Sequence, residues 1–263
     1  METLSYLLLG LVQGLTEFLP VSSSGHLTLG QAILGVGEED LTFTVLVHAA
    51  TALSTIVVFR KDIGELMRDV FTAGDSGAKA RSYTGLILLS AVPAAAVGLG
   101  FKGGIESLVN PQFVGVMLCV TAAILLFSQR AIANNRPLGA GRALGIGLAQ
   151  AFAILPGISR SGSTIGAALM LGVSREEAAR FSFLMALIPI GGATLLTLKD
   201  LLEQPPVMNT VTSPLTGYVV GTLAAFASGW AACTWMIRLV KRSNLAGFGG
   251  YCLVVGVLAI IFG

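Results

Sequence analysis

Six stretches of the chain, 43–59, 84–101, 112–128, 181–198, 215–236 and 247–262, are apolar over enough residues to cross a hydrocarbon core, which takes roughly 17–25 per helix. A chain carrying six of them has to place them in lipid. Only 11% of its 263 residues are charged, less than half the roughly 25% of a soluble domain. That scarcity excludes a disordered chain. Cys119, Cys233 and Cys252 all sit inside apolar runs, where they read as small hydrophobes, so a disulfide scaffold is excluded too. The net charge of +2 comes with no basic stripe interleaved with aromatics, and nucleic acid is not an expected partner. The opening residues lack the basic region and small-residue cleavage site of a signal peptide, so the first apolar stretch is expected to be kept. One all-α integral membrane domain over 1–263 follows, with membrane lipid as its surroundings.

Two further apolar regions are interrupted. Leu4–Leu19 then Leu27–Val36, and Ala143–Leu155 then Ile165–Val173, each form a pair of short helices around a polar break. Each pair is too short to cross twice and suits a re-entrant helix-loop-helix hairpin that returns to the side it entered. The two regions match at a shift of 137 residues, through Gly10/Gly147, Leu11/Leu148, Gln13/Gln150, Ser22/Ser159, Ser24/Ser161 and Gly25/Gly162. Phe43/Phe181, Lys61/Lys199 and Asp62/Asp200 continue the match at 138. A duplicated unit is expected, repeat one over 1–130 and repeat two over 137–263, each with one hairpin and three crossings. Three is odd, so the second copy is upside down: an inverted-topology repeat with six transmembrane helices and two hairpins.

Lys and Arg in the short loops set the orientation. Thirteen of them, among them Arg60, Lys61, Arg130, Arg142 and Lys241, fall on one side, and only Lys102 and Lys199 on the other. The first side is cytoplasmic by this count. Both termini, with Glu38, Glu39 and Asp40, are then periplasmic, and the hairpin tips enter from opposite faces and meet near the midplane.

An ionisable residue at membrane depth is costly, and its default reading is functional. Glu17, His26 and Arg160 qualify. Gln13 and Glu17 are four apart and share a helix face, where a carboxylate can bind a divalent cation or orient a cationic side chain. His26 can exchange a proton near neutral pH. Around them stand Ser22, Ser23 and Ser24 in one break, and Ser159, Ser161, Ser163 and Thr164 in the other, with Gly25, Gly157 and Gly162 letting backbone amides approach a ligand. Each returning helix presents its N-terminus there, which makes an anion site. Arg160 has the fork that matches phosphate oxygens. The nucleophile is Ser23 or a water, two alternatives the residues leave open.

The residues Gln13-Gly14-Leu15-Thr16-Glu17-Phe18-Leu19-Pro20-Val21-Ser22-Ser23-Ser24-Gly25-His26 and Pro156-Gly157-Ile158-Ser159-Arg160-Ser161-Gly162-Ser163-Thr164 resemble the two signature motifs of bacterial undecaprenyl-pyrophosphate phosphatases, the bacitracin-resistance proteins. The resemblance covers the chain in length and repeat layout. It implies a plasma-membrane hydrolase that takes the terminal phosphate from a polyisoprenyl pyrophosphate lipid, recycles the carrier for cell-wall synthesis, and opens its site to the periplasm. It also implies a divalent cation, Mg²⁺ or Ca²⁺. Where the family writes Glu or Gln at the first acidic position this chain has Gln13, so the weight falls on Glu17. Glu17, Ser23, His26 and Arg160 are the expected catalytic set, with Glu17 the candidate metal ligand. Gln13, Ser22, Ser24, Ser159, Ser161, Gly162 and Thr164 are the expected substrate-binding set.

The rival is a transporter or lipid flippase, since inverted repeats with broken helices at the midplane are a transporter signature. A carrier needs the arginine but has no use for an adjacent hydroxyl, imidazole and carboxylate. His48, inside the 43–59 stretch, reads as a packing or interhelical hydrogen-bonding residue.

Overall fold

The computed structural model describes every residue except 1, 37–40, 102, 105–107, 109, 132–134, 204–214 and 243–244. Lys102, which entered the Lys and Arg count, and Glu38, Glu39 and Asp40, which that count placed on the periplasmic side, lie outside the described residues. Among the described residues there are helices and no strands. In chain order they are α1 Glu2–Phe18, α2 Ser23–Leu34, α3 Leu41–Val58, α4 Arg60–Val70, α5 Asp75–Gly100, α6 Pro111–Ser128, α7 Ala140–Phe152, α8 Arg160–Met170, α9 Arg175–Glu203, α10 Leu215–Arg242 and α11 Ala246–Phe262.

Local chemistry sets several of the ends. Asn110 accepts at Oδ1 from the Phe113 amide at 2.9 Å, and Pro111 follows it as the first residue of α6, a position where a missing N–H costs nothing. Ser22 and Ser159 do the same for α2 and α8, accepting at Oγ from the amides of Gly25 and Gly162 at 3.3 and 3.0 Å. Gly35 ends α2 in the left-handed region at φ 62°.

Every stretch expected to cross lies in a helix, but the lengths differ. Four helices, α5, α6, α9 and α10, are long and apolar enough to span on their own. A fifth span requires joining α3 to α4, which are bent by 73° at Phe59. The bend falls where Arg60, Lys61 and Asp62 begin: the apolar run stops, and α4 has no buried residue. The last stretch is a shorter apolar helix of 17 residues, α11. Large apolar side chains such as Leu88, Val92, Val254 and Ile261 point outward, as they do on a surface that lipid rather than water covers. The chain is an integral membrane protein.

Helix α1 packs on α10 and α7 packs on α5. Both contacts are backbone to backbone at a glycine. A Cβ on Gly10 would lie 2.1 Å from the carbonyl oxygen of Gly221, and one on Gly147 would lie 2.5 Å from that of Ser90. Helix α6 packs on α11, and α3 lies against both α9 and α10. Phe43 and Phe181 are fully buried; Phe43 packs against Tyr6 and Tyr218, Phe181 against Tyr83. These contacts bring the α1–α2 and α7–α8 breaks together in the interior.

Candidate active site

The two polar breaks touch. A Cβ on Gly25 would sit 3.2 Å from Cα of Gly157, and one on Gly162 would sit 3.2 Å from Cβ of Pro20. Ser161 donates from Oγ to the Leu19 carbonyl at 3.1 Å. Thr121 on α6 stitches the second break in place, donating to the Gly157 carbonyl at 3.1 Å while its hydroxyl accepts from the Ser159 amide at 3.0 Å. Gly157 turns there with φ 93°, a left-handed conformation that suits glycine. Ser22 adopts φ 72° without being glycine, and backbone strain of this kind concentrates at functional sites.

Where the breaks meet, Arg160 at the start of α8 donates from Nη2 to Oε1 of Glu17 near the end of α1. The other carboxylate oxygen, Oε2, accepts from Ser23 Oγ at 2.5 Å and from Gln13 Nε2 at 2.9 Å. The Glu17 side chain is 4% exposed and that of Arg160 22%. A carboxylate at that depth is tolerable only when paired and hydrogen-bonded, and here both its oxygens are. Among the described residues Arg160 makes no protein hydrogen bond from Nε or Nη1, so part of its fork is left for another anion.

A cavity of about 350 Å³ opens over this cluster, bordered by Glu17, Ser23, Ser24, Ser159, Arg160 and Ser161 from the two motifs. Other expected residues lie behind it. Gln13 is fully buried against Glu17. The Ser22 hydroxyl faces the Gly25 amide and Ser24 Oγ, Gly162 donates its amide to Ser159, and the buried Thr164 donates from Oγ1 to the Arg160 carbonyl at 2.9 Å. His26 does not border the cavity. Its Nδ1 donates to the Ser22 carbonyl at 2.9 Å, its Nε2 lies 2.8 Å from the Tyr251 hydroxyl, and its ring stacks on that tyrosine.

Two residues that sequence reasoning did not place in the site are there. His48 on α3 borders the same cavity as Glu17. Its Nδ1 donates to the Thr44 carbonyl at 2.8 Å within its own helix, which fixes that tautomer. The signal was an ionisable side chain in an apolar crossing, the same rule that selected Glu17 and Arg160. Gln150 on α7 borders the cavity as well, and its equivalence to Gln13 in the duplicated pattern marked it.

The donor set does not fit a resident divalent cation. No group of three His, Cys, Asp or Glu that could hold one occurs among the described residues, and both oxygens of Glu17 are already engaged. Such ions take oxygen ligands in numbers that one occupied carboxylate cannot supply.

An all-helical integral membrane protein with an arginine–carboxylate–serine cluster buried between two broken helices is the class defined so far. A family model described as bacitracin resistance protein BacA matches residues 6–258. The chain is 45% identical to an undecaprenyl-diphosphatase of Christiangramia forsetii over 267 residues, covering 100% of this chain and 98% of that one. It is 44% identical to an undecaprenyl-diphosphatase of Bacteroides fragilis, covering 99% and 98%, and 43% to one of Syntrophotalea carbinolica, covering 97% of each. The chain belongs to the bacitracin resistance protein BacA family.

Proposed function

We propose that this protein hydrolyses undecaprenyl pyrophosphate to undecaprenyl phosphate and orthophosphate in the bacterial plasma membrane, recycling the lipid carrier of cell-wall synthesis and giving resistance to bacitracin. Full-length relatives named undecaprenyl-diphosphatase support the activity. The observation that carries it is the sharing of Glu17 between Arg160 on one oxygen and Ser23 on the other, which sets a phosphate-binding cation and a hydroxyl nucleophile on a single base.

Arg160 takes the pyrophosphate with the nitrogens that Glu17 leaves free, and with the Ser24 and Ser159 hydroxyls compensates charge on the transferring phosphoryl group. Ser23 Oγ, already donating its proton to Glu17, attacks the terminal phosphorus as the bridging P–O bond breaks and undecaprenyl phosphate leaves. Glu17 gives that proton up to solvent. A water then attacks the phosphoserine; Glu17 takes its proton and returns it to Ser23 Oγ as orthophosphate departs. His26, engaged on both nitrogens outside the cavity, holds the Ser22–Ser24 turn. A divalent cation, on this reading, arrives on the pyrophosphate rather than in a protein cage, and no step is routed through it.

We further propose that the chain is an inverted repeat of two hairpins and six crossings, with α3 one of them and α4 leaving it at the cytoplasmic face, both termini periplasmic and the cavity open to the periplasm. The exchange-related contacts support it: α1 on α10 corresponds to α7 on α5, and Ser22 caps α2 as Ser159 caps α8. The lipid tail stays in the bilayer, a reason for a hydrolase to keep its site there. Purified protein in detergent should release orthophosphate from farnesyl pyrophosphate. No gradient exists there, so a carrier would release none.

A further inference from the structure

Gln150 is 2% exposed, yet neither its amide nitrogen nor its amide oxygen has a hydrogen-bond partner among the described residues. Each buried polar atom left unsatisfied is costly, and this residue carries two. Its sequence equivalent in the first half explains the difference. Gln13 donates from Nε2 to Glu17, four residues on along the same helix face; the residue four beyond Gln150 is Ile154, which offers nothing. The amide therefore has no partner among the described residues, and Gln150 is part of the wall of the cavity that Arg160, Ser159 and Ser23 also border.

Building on the phosphatase reading, we propose that Gln150 is a substrate-binding residue, whose Nε2 donates to a non-bridging oxygen of the pyrophosphate and whose Oε1 accepts from a water held beside it. A pyrophosphate is rich in acceptors and has no apolar face toward this wall, so an amide donor opposite the Arg160 fork completes its coordination where a leucine or a carboxylate would not. Arg160 and Gln150 come from α8 and α7 of the same half, while Glu17 and Ser23 come from α1 and α2 of the other. On this assignment the C-terminal half supplies the arginine and amide donors to the anion, and the N-terminal half supplies the nucleophile and the base.

The test uses the full chain in detergent, with Gln150→Leu and Gln150→Glu beside wild type. Three readouts are taken: kcat/KM for farnesyl pyrophosphate, thermal stability, and binding of a farnesyl diphosphonate whose methylene bridge cannot be hydrolysed. Loss of one hydrogen bond to a charged group should lower kcat/KM and diphosphonate affinity about ten- to a hundredfold in Gln150→Leu. Gln150→Glu should lower both at least as far, by repulsion. Stability of Gln150→Leu should be equal to wild type or higher, because an unsatisfied buried amide has been removed. Activity and affinity within threefold of wild type would overturn the proposal, and so would a loss of both accompanied by a fall in melting temperature, which would make the amide a structural group. A wild type that binds the diphosphonate but releases no phosphate refutes the phosphatase reading instead, and the affinity ratio between variant and wild type then judges Gln150 by itself.

Discussion

Arg160 and Glu17 are 143 residues apart in the chain and joined by an ion pair in the interior. The pair is also the junction of the two motifs, so each partner is needed twice: for the packing of the breaks and for the anion. Removing one side of a buried pair leaves the other uncompensated, at a cost of about 3–5 kcal/mol. Arg160→Ala should therefore lose phosphate release by at least about a hundredfold and unfold at a lower temperature. Arg160→Lys should restore stability better than activity, since an ammonium keeps the charge but not the fork. Phosphate release and thermal melts on the same preparations check both.

Ser23 donates to a carboxylate that is already fixed from two other directions. Ser23→Ala removes the nucleophile without leaving a buried charge behind, so activity should fall by about a hundredfold or more at an almost unchanged melting temperature. Acid-quenched wild type incubated with terminally labelled substrate should carry the label on Ser23. Undiminished single-turnover chemistry in Ser23→Ala would hand the attack to water.

For His26 the opposite pattern is expected. The ring ties the Ser22 carbonyl to Tyr251 on α11, so Tyr251→Phe should cost about 1 kcal/mol of stability and reduce turnover only in proportion. His26→Ala should lower melting temperature and activity together. Activity lost from His26→Ala at full stability would return the imidazole to the chemistry.

Gly10 lets α1 lie directly on α10, with no room for even a methyl group before the Gly221 carbonyl. Gly10→Ala should destabilise the protein by about 1–3 kcal/mol or more through overpacking, seen as a lower melting temperature in detergent. Gly64, where an added Cβ meets nothing within 4 Å, is the control; Gly64→Ala inside α4 should stabilise slightly.

Mg²⁺ alone should produce no calorimetric binding signal with wild type, whereas the diphosphonate should bind more tightly in its presence. A saturable Mg²⁺ site in the protein by itself, lost in Glu17→Gln, would restore the carboxylate as a metal ligand.

Much of this site was legible before any coordinates. Polar residues inside apolar stretches are informative because lipid makes them expensive, and that reasoning picked out Glu17, Arg160 and both serine runs. It does not reach the direction in which a helix face turns. His26 and His48 look alike as isolated imidazoles; only the packing of α2 toward α6 and of α3 toward α9 sends one to Tyr251 and the other to the cavity. Gln150 was noticed for its match with Gln13, but its empty hydrogen-bonding positions depend on Ile154 standing where the other half has Glu17. The long apolar helices were legible by hydropathy, whereas the 73° bend between α3 and α4 was not, because a charged segment after an apolar one is equally compatible with a loop.

The crosswise packing of α1 on α10 and α7 on α5 has an assembly consequence. The first helix of each break, α1 and α7, takes its main cover from the other half of the chain, as two hands clasp. Translation of the first half alone would leave the Glu17 carboxylate without Arg160, and α1 would wait for its cover until α10, in the last third of the chain, emerges. Severed halves made together should consequently find each other and regain turnover, while either made singly should have none.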